Sequence, residues 1–338
     1  MNHRVVDRMP SKERPLNVSY LEAERQVCAN LSLTPEARQL RLTNPLLGLR
    51  AIEMGNGKPV VFLHGFSLCT AHWAPLMSRL PSLRNIAIDM PGHGGSGAVD
   101  FGGVDLRAWF KEVLTGCLDE LGVESAHIIG HSQGAMIGMW LALDAPERVK
   151  SLVAIGTPAV AFGAHLDQLR MLALPGIGPV LMSIPARIPE SMFGRMIAVN
   201  MGRHAVDTAP ELVHAAQLTQ RRAGFGTTVS TYLREMFKGA ASEPPRYVLS
   251  DDELGRIQPP VLILWGEDDQ HYQPIAEAAS KAALIPNARL EVVHGGHEPW
   301  LDDLERCAEP ISAFLLRSSP DGGAAVNRTM AGAGSRIP

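Results

Sequence analysis

Short, unbroken apolar runs alternate along this chain with longer stretches whose apolar residues recur every three or four positions. The first kind predicts six strands: Lys58–Leu63, Asn85–Asp89, Ala126–Gly130, Ser151–Gly156, Pro260–Gly266 and Arg289–Val293. Most are continuous, rich in β-branched residues and bounded by Gly or Asp, as parallel strands covered on both faces are. The second kind predicts helices over Leu106–Leu121, Gln133–Leu143, Ile275–Ile285 and Leu301–Leu316. Strand–helix alternation of this sort predicts an α/β fold, a mostly parallel central sheet with helices on both faces.

The alternation fails once. From about Pro158 to Ser250 no strand is predicted; Pro, Gly and Met recur, and Pro210–Arg222 has helical spacing. The segment 158–250 therefore reads as a helical insertion after the fourth of these strands, dividing a core of residues 46–157 and 251–317. Residues 1–45 form a polar, partly helical lead-in. Residues 318–338, rich in Gly, Ala and Ser, read as a disordered tail.

Composition narrows the function. The chain has 338 residues, 46% hydrophobic and 20% charged, enough for a large core carrying an insertion or a second domain. Its net charge of -4 offers no electrostatic footprint for nucleic acid. Cys28, Cys69, Cys117 and Cys307 are scattered and form no CxxC, which excludes a disulfide framework or zinc ribbon and predicts free thiols. Residues 1–15 are charged throughout, unlike a secretory signal. The apolar, uncharged stretch Met171–Ala186 is broken by Pro175, Pro179 and Pro185 and is too short to span a bilayer. The expectation is a cytoplasmic protein of undetermined oligomeric state.

The chemistry is concentrated at Gly130-His131-Ser132-Gln133-Gly134, a G-x-S-x-G between a predicted strand and a predicted helix. A sharp turn there lifts the serine hydroxyl above the sheet edge, and Gly130 and Gly134 leave the room it needs. Serine attacks only with help from a general base, itself oriented by an acid. In the chain order Ser, acid, His, the base falls at His297, with His294 the competitor. The acid falls after Pro260–Gly266, where Glu267, Asp268 and Asp269 follow one another. Asp269 is placed to turn back toward His297, and Asp268 is the next choice. Backbone N–H groups of Gln133 and Phe66 are the expected oxyanion donors, with Gly65 allowing close approach and His64 bracing the loop.

These features together resemble the α/β-hydrolase superfamily over roughly residues 46–316. They are Leu63-His64-Gly65-Phe66, Asp89-Met90-Pro91-Gly92-His93-Gly94-Gly95-Ser96, the Ser132 elbow, and Gly266-Glu267-Asp268-Asp269 with Gly295-Gly296-His297. The resemblance implies an α/β-hydrolase fold with a Ser132–Asp269–His297 triad, a structural role for His93, and a cap formed by 158–250. It implies no cofactor and no metal. A serine, where haloalkane dehalogenases and epoxide hydrolases of this fold carry Asp, disfavours both, and C–C hydrolases usually carry a different elbow.

The apolar, Met-rich cap around Leu172–Ile188 suits packing on the core, or an apolar substrate pocket. His72, Trp73, Phe225, Tyr272 and Trp300 are further candidates to approach the site. Arg221 and Arg222 suit a solvated helix face better than a substrate carboxylate. The expected activity is hydrolysis of a small, apolar carboxylic ester through an acyl-enzyme. The alternatives are a lactonase, C–C hydrolase or perhydrolase on the same triad, or a non-catalytic small-molecule receptor.

Overall fold

The computed structural model describes residues 15–160, 166–238, 248–269 and 275–317. Eight strands run β1 Glu36–Thr43, β2 Leu46–Met54, β3 Pro59–Leu63, β4 Arg84–Ile88, β5 Ala126–His131, β6 Val149–Ile155, β7 Val261–Gly266 and β8 Ala288–Val293. They form one sheet in the order β1-β2-β4-β3-β5-β6-β7-β8. From β4 to β8 all pairings are parallel, whereas β2 meets β1 and β4 antiparallel. All six predicted strands are present, with ends shifted by one or two residues.

β1 and β2 escaped prediction for a physical reason. β1 is an edge strand exposing every residue but Leu40 and Leu42, so it carries no apolar run. In β2 the run is interrupted by Arg50 and Glu53, which are buried with ionic partners. Part of the 1–45 lead-in thus joins the sheet as β1, and another part forms the helix Pro15–Asn30.

Successive side chains of the central strands enter opposite cores, as the period of two requires. Val61, Leu63, Ile128 and Leu152 pack in one cluster with the helices Leu106–Glu120 and Gln133–Asp144. Val60, Phe62, Ile129 and Val153 pack in the other with Ile311 and Phe314. Each such fully buried aliphatic or Phe side chain contributes about 2 kcal/mol.

The predicted helix Leu301–Leu316 is in fact two, Pro299–Asp302 and Leu304–Arg317. Asp303 breaks them with an extended backbone, and its carboxylate accepts from the Arg306 N–H, capping the second helix. Between β6 and β7 the described residues of 158–250 hold six helices and no strand. These are Leu166–Leu172, Ile177–Ser183, Glu190–Met201, Arg203–Thr208, Pro210–Gln220 and Phe225–Met236. All four cysteines are buried and free. Among the described residues no helix is long and apolar enough to cross a membrane.

Candidate active site

At the end of β5 the chain turns into the helix Gln133–Asp144 through Ser132, whose backbone sits at φ 50°, ψ -115°. A non-glycine residue in that region is strained, and strain persists only where the surroundings over-determine it. Here the Ser132 N–H donates to the Ile155 carbonyl at 2.8 Å, and the Ser132 carbonyl accepts from Met136 at 3.0 Å. The turn is so tight that a Cβ on Gly134 would lie 2.1 Å from the Leu63 carbonyl oxygen, and one on Gly130 2.5 Å from the Ala135 Cα. Ser132 stands near the start of that helix, whose unpaired N–H groups favour developing negative charge.

β7 and β8 deliver the other two side chains. Their exit loops are laced together: the Glu267 N–H donates to the Val293 carbonyl at 2.8 Å, and the Asp268 N–H to the Gly295 carbonyl at 3.0 Å. This turns Asp269 inward, where its Oδ2 lies 2.7 Å from His297 Nδ1. Both side chains are buried, exposed by 0% and 6%. A carboxylate at that distance holds the imidazole as the Nδ1–H tautomer and makes Nε2 the basic nitrogen. His131, inside the elbow, ties the elbow to the β8 exit loop, its Nε2 lying 2.9 Å from the His297 carbonyl and its ring 4.5 Å from that of His297. Gly156, at the end of β6 with φ 53°, makes room for the pair, since a Cβ there would approach the His297 ring to 2.9 Å.

The loop after β3 meets the elbow from the other side. A Cβ on Gly65 would come within 2.6 Å of His131 Nδ1 and 3.1 Å of Ser132 Cβ, so only glycine lets this loop close on the serine. His64 is buried, accepts from the Met90 N–H at 2.9 Å and contacts the Gly65 carbonyl at 2.8 Å. Burial pushes its pKa down to about 4, so it braces the loop as a neutral ring. His93 contacts the Pro91 carbonyl and accepts from the Ser67 N–H at 3.3 Å; burial lowers its pKa to about 3. Phe66 and Gln133 line one narrow cavity with Met90, Phe101, Val229 and Tyr232. No Asp, Glu, Lys or Arg lines it, so it suits an apolar group.

Several sequence expectations resolve differently. His294 is exposed and pairs with Glu267 at 2.6 Å, away from the buried pair. Phe225 reaches the site indirectly, edge-on to His93. Trp73 and Trp300 stack on one another in the core; the Trp300 indole N–H donates to the His72 carbonyl, and its ring reaches the site edge-on to His131 at 5.0 Å, as expected. Tyr272 lies outside the described residues. Arg221 is not simply solvated; it donates to Gln217 Oε1 of its own helix and to the Ala186 carbonyl, fastening that helix end to the turn before Glu190–Met201. The field of Arg222 reaches His93 on the cavity wall. Glu298 had no assigned role. It is fully buried beside His297, neither carboxyl oxygen has a hydrogen-bond partner among the described residues, and burial pushes its pKa up to about 8. No local pattern marks such a residue, because burial is set by the surrounding fold.

Comparison with known proteins agrees with this architecture. Residues 58–304 match the family described as alpha/beta hydrolase fold. The 2-hydroxy-6-oxononadienedioate/2-hydroxy-6-oxononatrienedioate hydrolase 2 of Pseudomonas putida is 30% identical over 280 residues, 80% of this chain and 91% of that protein. Carboxylesterase YbfK of Bacillus subtilis is 29% identical over 260 residues, 76% of this chain and 79% of that protein. Among solved structures, carboxylesterase CesB (YbfK) from Bacillus subtilis is similar with TM-score 0.71 at 22% identity, over 89% of this chain and 99% of that chain. The meta-cleavage product hydrolase from Pseudomonas fluorescens IP01 follows at TM-score 0.66 and 21% identity, over 83% and 98%. The matched span contains the Ser132 turn and both exit loops, and by sheet, elbow and match alike this chain belongs to the α/β-hydrolase-fold family.

Proposed function

We propose that the protein is a serine hydrolase cleaving small carboxylic esters with an apolar acyl or alcohol part. One observation carries this reading: a strained Ser132 at the strand–helix turn, with the buried His297–Asp269 pair on the adjoining exit loops. Ser132 Oγ attacks the ester carbonyl as His297 Nε2 takes its proton. The N–H groups of Phe66 and Gln133 hold the oxyanion, each worth roughly 2.7–4 kcal/mol to the transition state. Collapse breaks the ester C–O bond, and His297 gives the proton to the departing alcohol. Water, deprotonated by His297, then attacks the acyl-enzyme, releasing the acid and regenerating Ser132. Asp269 keeps the imidazole oriented and stabilises its cation. The helices of 158–250 act as a cap, with Val229 and Tyr232 closing the cavity over the reacting bond.

A second reading has its own support. The relative named for 2-hydroxy-6-oxononadienedioate hydrolyses a compound whose name contains neither ester nor amide, so its water must split a carbon–carbon bond. The same triad would serve, and Arg222, whose field reaches His93, would offer a charge to a carboxylate. Against it stands the uncharged lining of the cavity.

The test is labelling with a fluorophosphonate, mass spectrometry of the labelled peptide, and turnover of a p-nitrophenyl ester series beside a 2-hydroxy-6-oxo-dienoate. Label on Ser132 with ester turnover is expected, and Ser132→Ala is expected to lower kcat by about five to six orders of magnitude. Dienoate turnover without ester turnover replaces the first reading with the second. Full activity in Ser132→Ala removes both.

A further inference from the structure

The loop that carries Phe66 is strained just beyond it. Ser67 has φ 65°, one of three described non-glycine residues with positive φ, of which Ser132 is another. Such a conformation costs on the order of 1–3 kcal/mol and survives only where neighbours hold it. One end of the loop is held by His64, which accepts from the Met90 N–H. The other end is Thr70, and what holds it comes from far away in the chain. Glu24 Oε2 accepts from the Thr70 hydroxyl at 2.5 Å, while Asp89 Oδ1 accepts from the Thr70 N–H at 3.0 Å. The Tyr20 hydroxyl stands 3.1 Å from Glu24 Oε2, 3.1 Å from Asp89 Oδ1 and 3.0 Å from Thr70 Oγ1. Arg50 closes the cluster, with Nη1 donating to Glu24 at 2.8 Å and lying 3.4 Å from Asp89.

Tyr20, Glu24, Arg50, Thr70 and Asp89 are all buried, with none more than 5% exposed. Burying two carboxylates around one guanidinium is expensive, and apolar replacements often stabilise as well or better. What a directional cluster adds is register. Tyr20 and Glu24 belong to the helix Pro15–Asn30, which lies before the family-matched span. The same face carries apolar residues: Ala23 and Val27, with the Tyr20 ring, share a cluster with Phe193, Ile197 and Leu212 of the 158–250 segment.

We propose that Tyr20 and Glu24 are positioning residues: the N-terminal helix clamps Thr70 and so holds the strained loop in the place from which the Phe66 N–H meets the oxyanion. This rests on the ester-hydrolase reading for its kinetic consequence. Losing the clamp lets Ser67 relax and the Phe66 N–H drift, a loss felt in the transition state more than in substrate binding.

The test compares Tyr20→Phe and Glu24→Gln with Val27→Ala, which weakens the docking of the same helix through an apolar contact and touches no member of the polar cluster. Both polar variants are expected to lower kcat on a p-nitrophenyl ester by about tenfold with KM within about twofold, since a misplaced oxyanion donor is only partly lost. Amide exchange over residues 65–70 should quicken in both. Val27→Ala should lower Tm by at least as much while leaving kcat and that exchange unchanged. If the polar variants lower Tm alone and keep kcat and the exchange protection, the helix is merely structural and the proposal falls. If the parent turns over no ester, the kinetic consequence fails with the ester reading, and exchange over residues 65–70 still decides whether the clamp holds the loop.

Discussion

The exit loops of β7 and β8 make two histidine–carboxylate pairs, only a few residues apart. His294 meets Glu267 at 2.6 Å and His297 meets Asp269 at 2.7 Å, so by distance they are twins. Their surroundings differ completely: the first pair's side chains are 66% and 54% exposed, the second's 6% and 0%. In water the attraction of such a pair is screened and often contributes nothing measurable. Out of water it fixes a tautomer and stabilises a charge that appears during reaction. What separates the pairs is therefore what packs on them, Gly156 and the His131 ring against His297, and not their length; the proposed chemistry follows that cover.

The sharpest way to break that comparison is to neutralise each acid in turn. Asp269→Asn keeps the shape and donates where it should accept, which turns the imidazole into the wrong tautomer. The expected loss in kcat is about 10⁴-fold. Glu267→Gln, the same chemical change on the exposed pair, should stay within about twofold of the parent, as surface ion pairs contribute little. Equal losses would mean that the exposed pair takes part in the reaction and that burial does not distinguish them.

The parts of this site that could be read from sequence are those whose chemistry is local. A strand–helix turn needs glycines next to Ser132, and an acid and a base must follow buried strands to reach the same sheet edge. Where the chemistry depends on distant partners, the sequence is mute. Tyr20 and Glu24 look like any amphipathic helix residues, and only folding brings them to Thr70 and Asp89, 46 to 69 positions on. Arg50 and Glu53 interrupt the pattern that would have revealed β2, because a buried charge reads as an exposed one until its partner is known. Gly156 is one glycine among 32 until His297 is seen against it.

Glu298 sharpens the comparison at intermediate scale, being adjacent to His297 yet unpaired among the described residues. Burial, with a smaller push from Asp302, raises its pKa from an ordinary 4.5 to about 8. The sign follows by linkage. Below about pH 4.5 the carboxyl is protonated in both folded and unfolded chains, and stability is unaffected. Between about 4.5 and 8 the unfolded chain sheds the proton while the folded one keeps it, so stability falls as pH rises. Glu298→Gln removes that dependence. Its Tm should match the parent near pH 4.5, exceed it increasingly toward pH 8 by an amount on the order of a few kcal/mol in stability, and then run parallel. A gap that does not change with pH would mean the Glu298 carboxyl ionises normally, and that the cover over His297 is wetter than the structure has it.

The smallest effect belongs to His294, and its smallness is the point. The hydrogen bond it donates to Glu267 raises its pKa, helped by the charges of Glu267, Asp268 and Asp302. A raised histidine contributes stability that is complete below its ordinary pKa and is lost as pH climbs through the raised one. The side chain is largely exposed, so this contribution is screened by salt as well. His294→Gln is expected to lower Tm by about 1–2 °C near pH 5.5 in low salt, and by nothing near pH 9 or in about 0.5 M NaCl. Its kcat should be the parent's at every pH. A pH-dependent loss of kcat in this variant would couple the exposed pair to the buried one through Asp268, whose N–H joins the two loops at Gly295, and the two pairs would then have to be treated as one titrating unit.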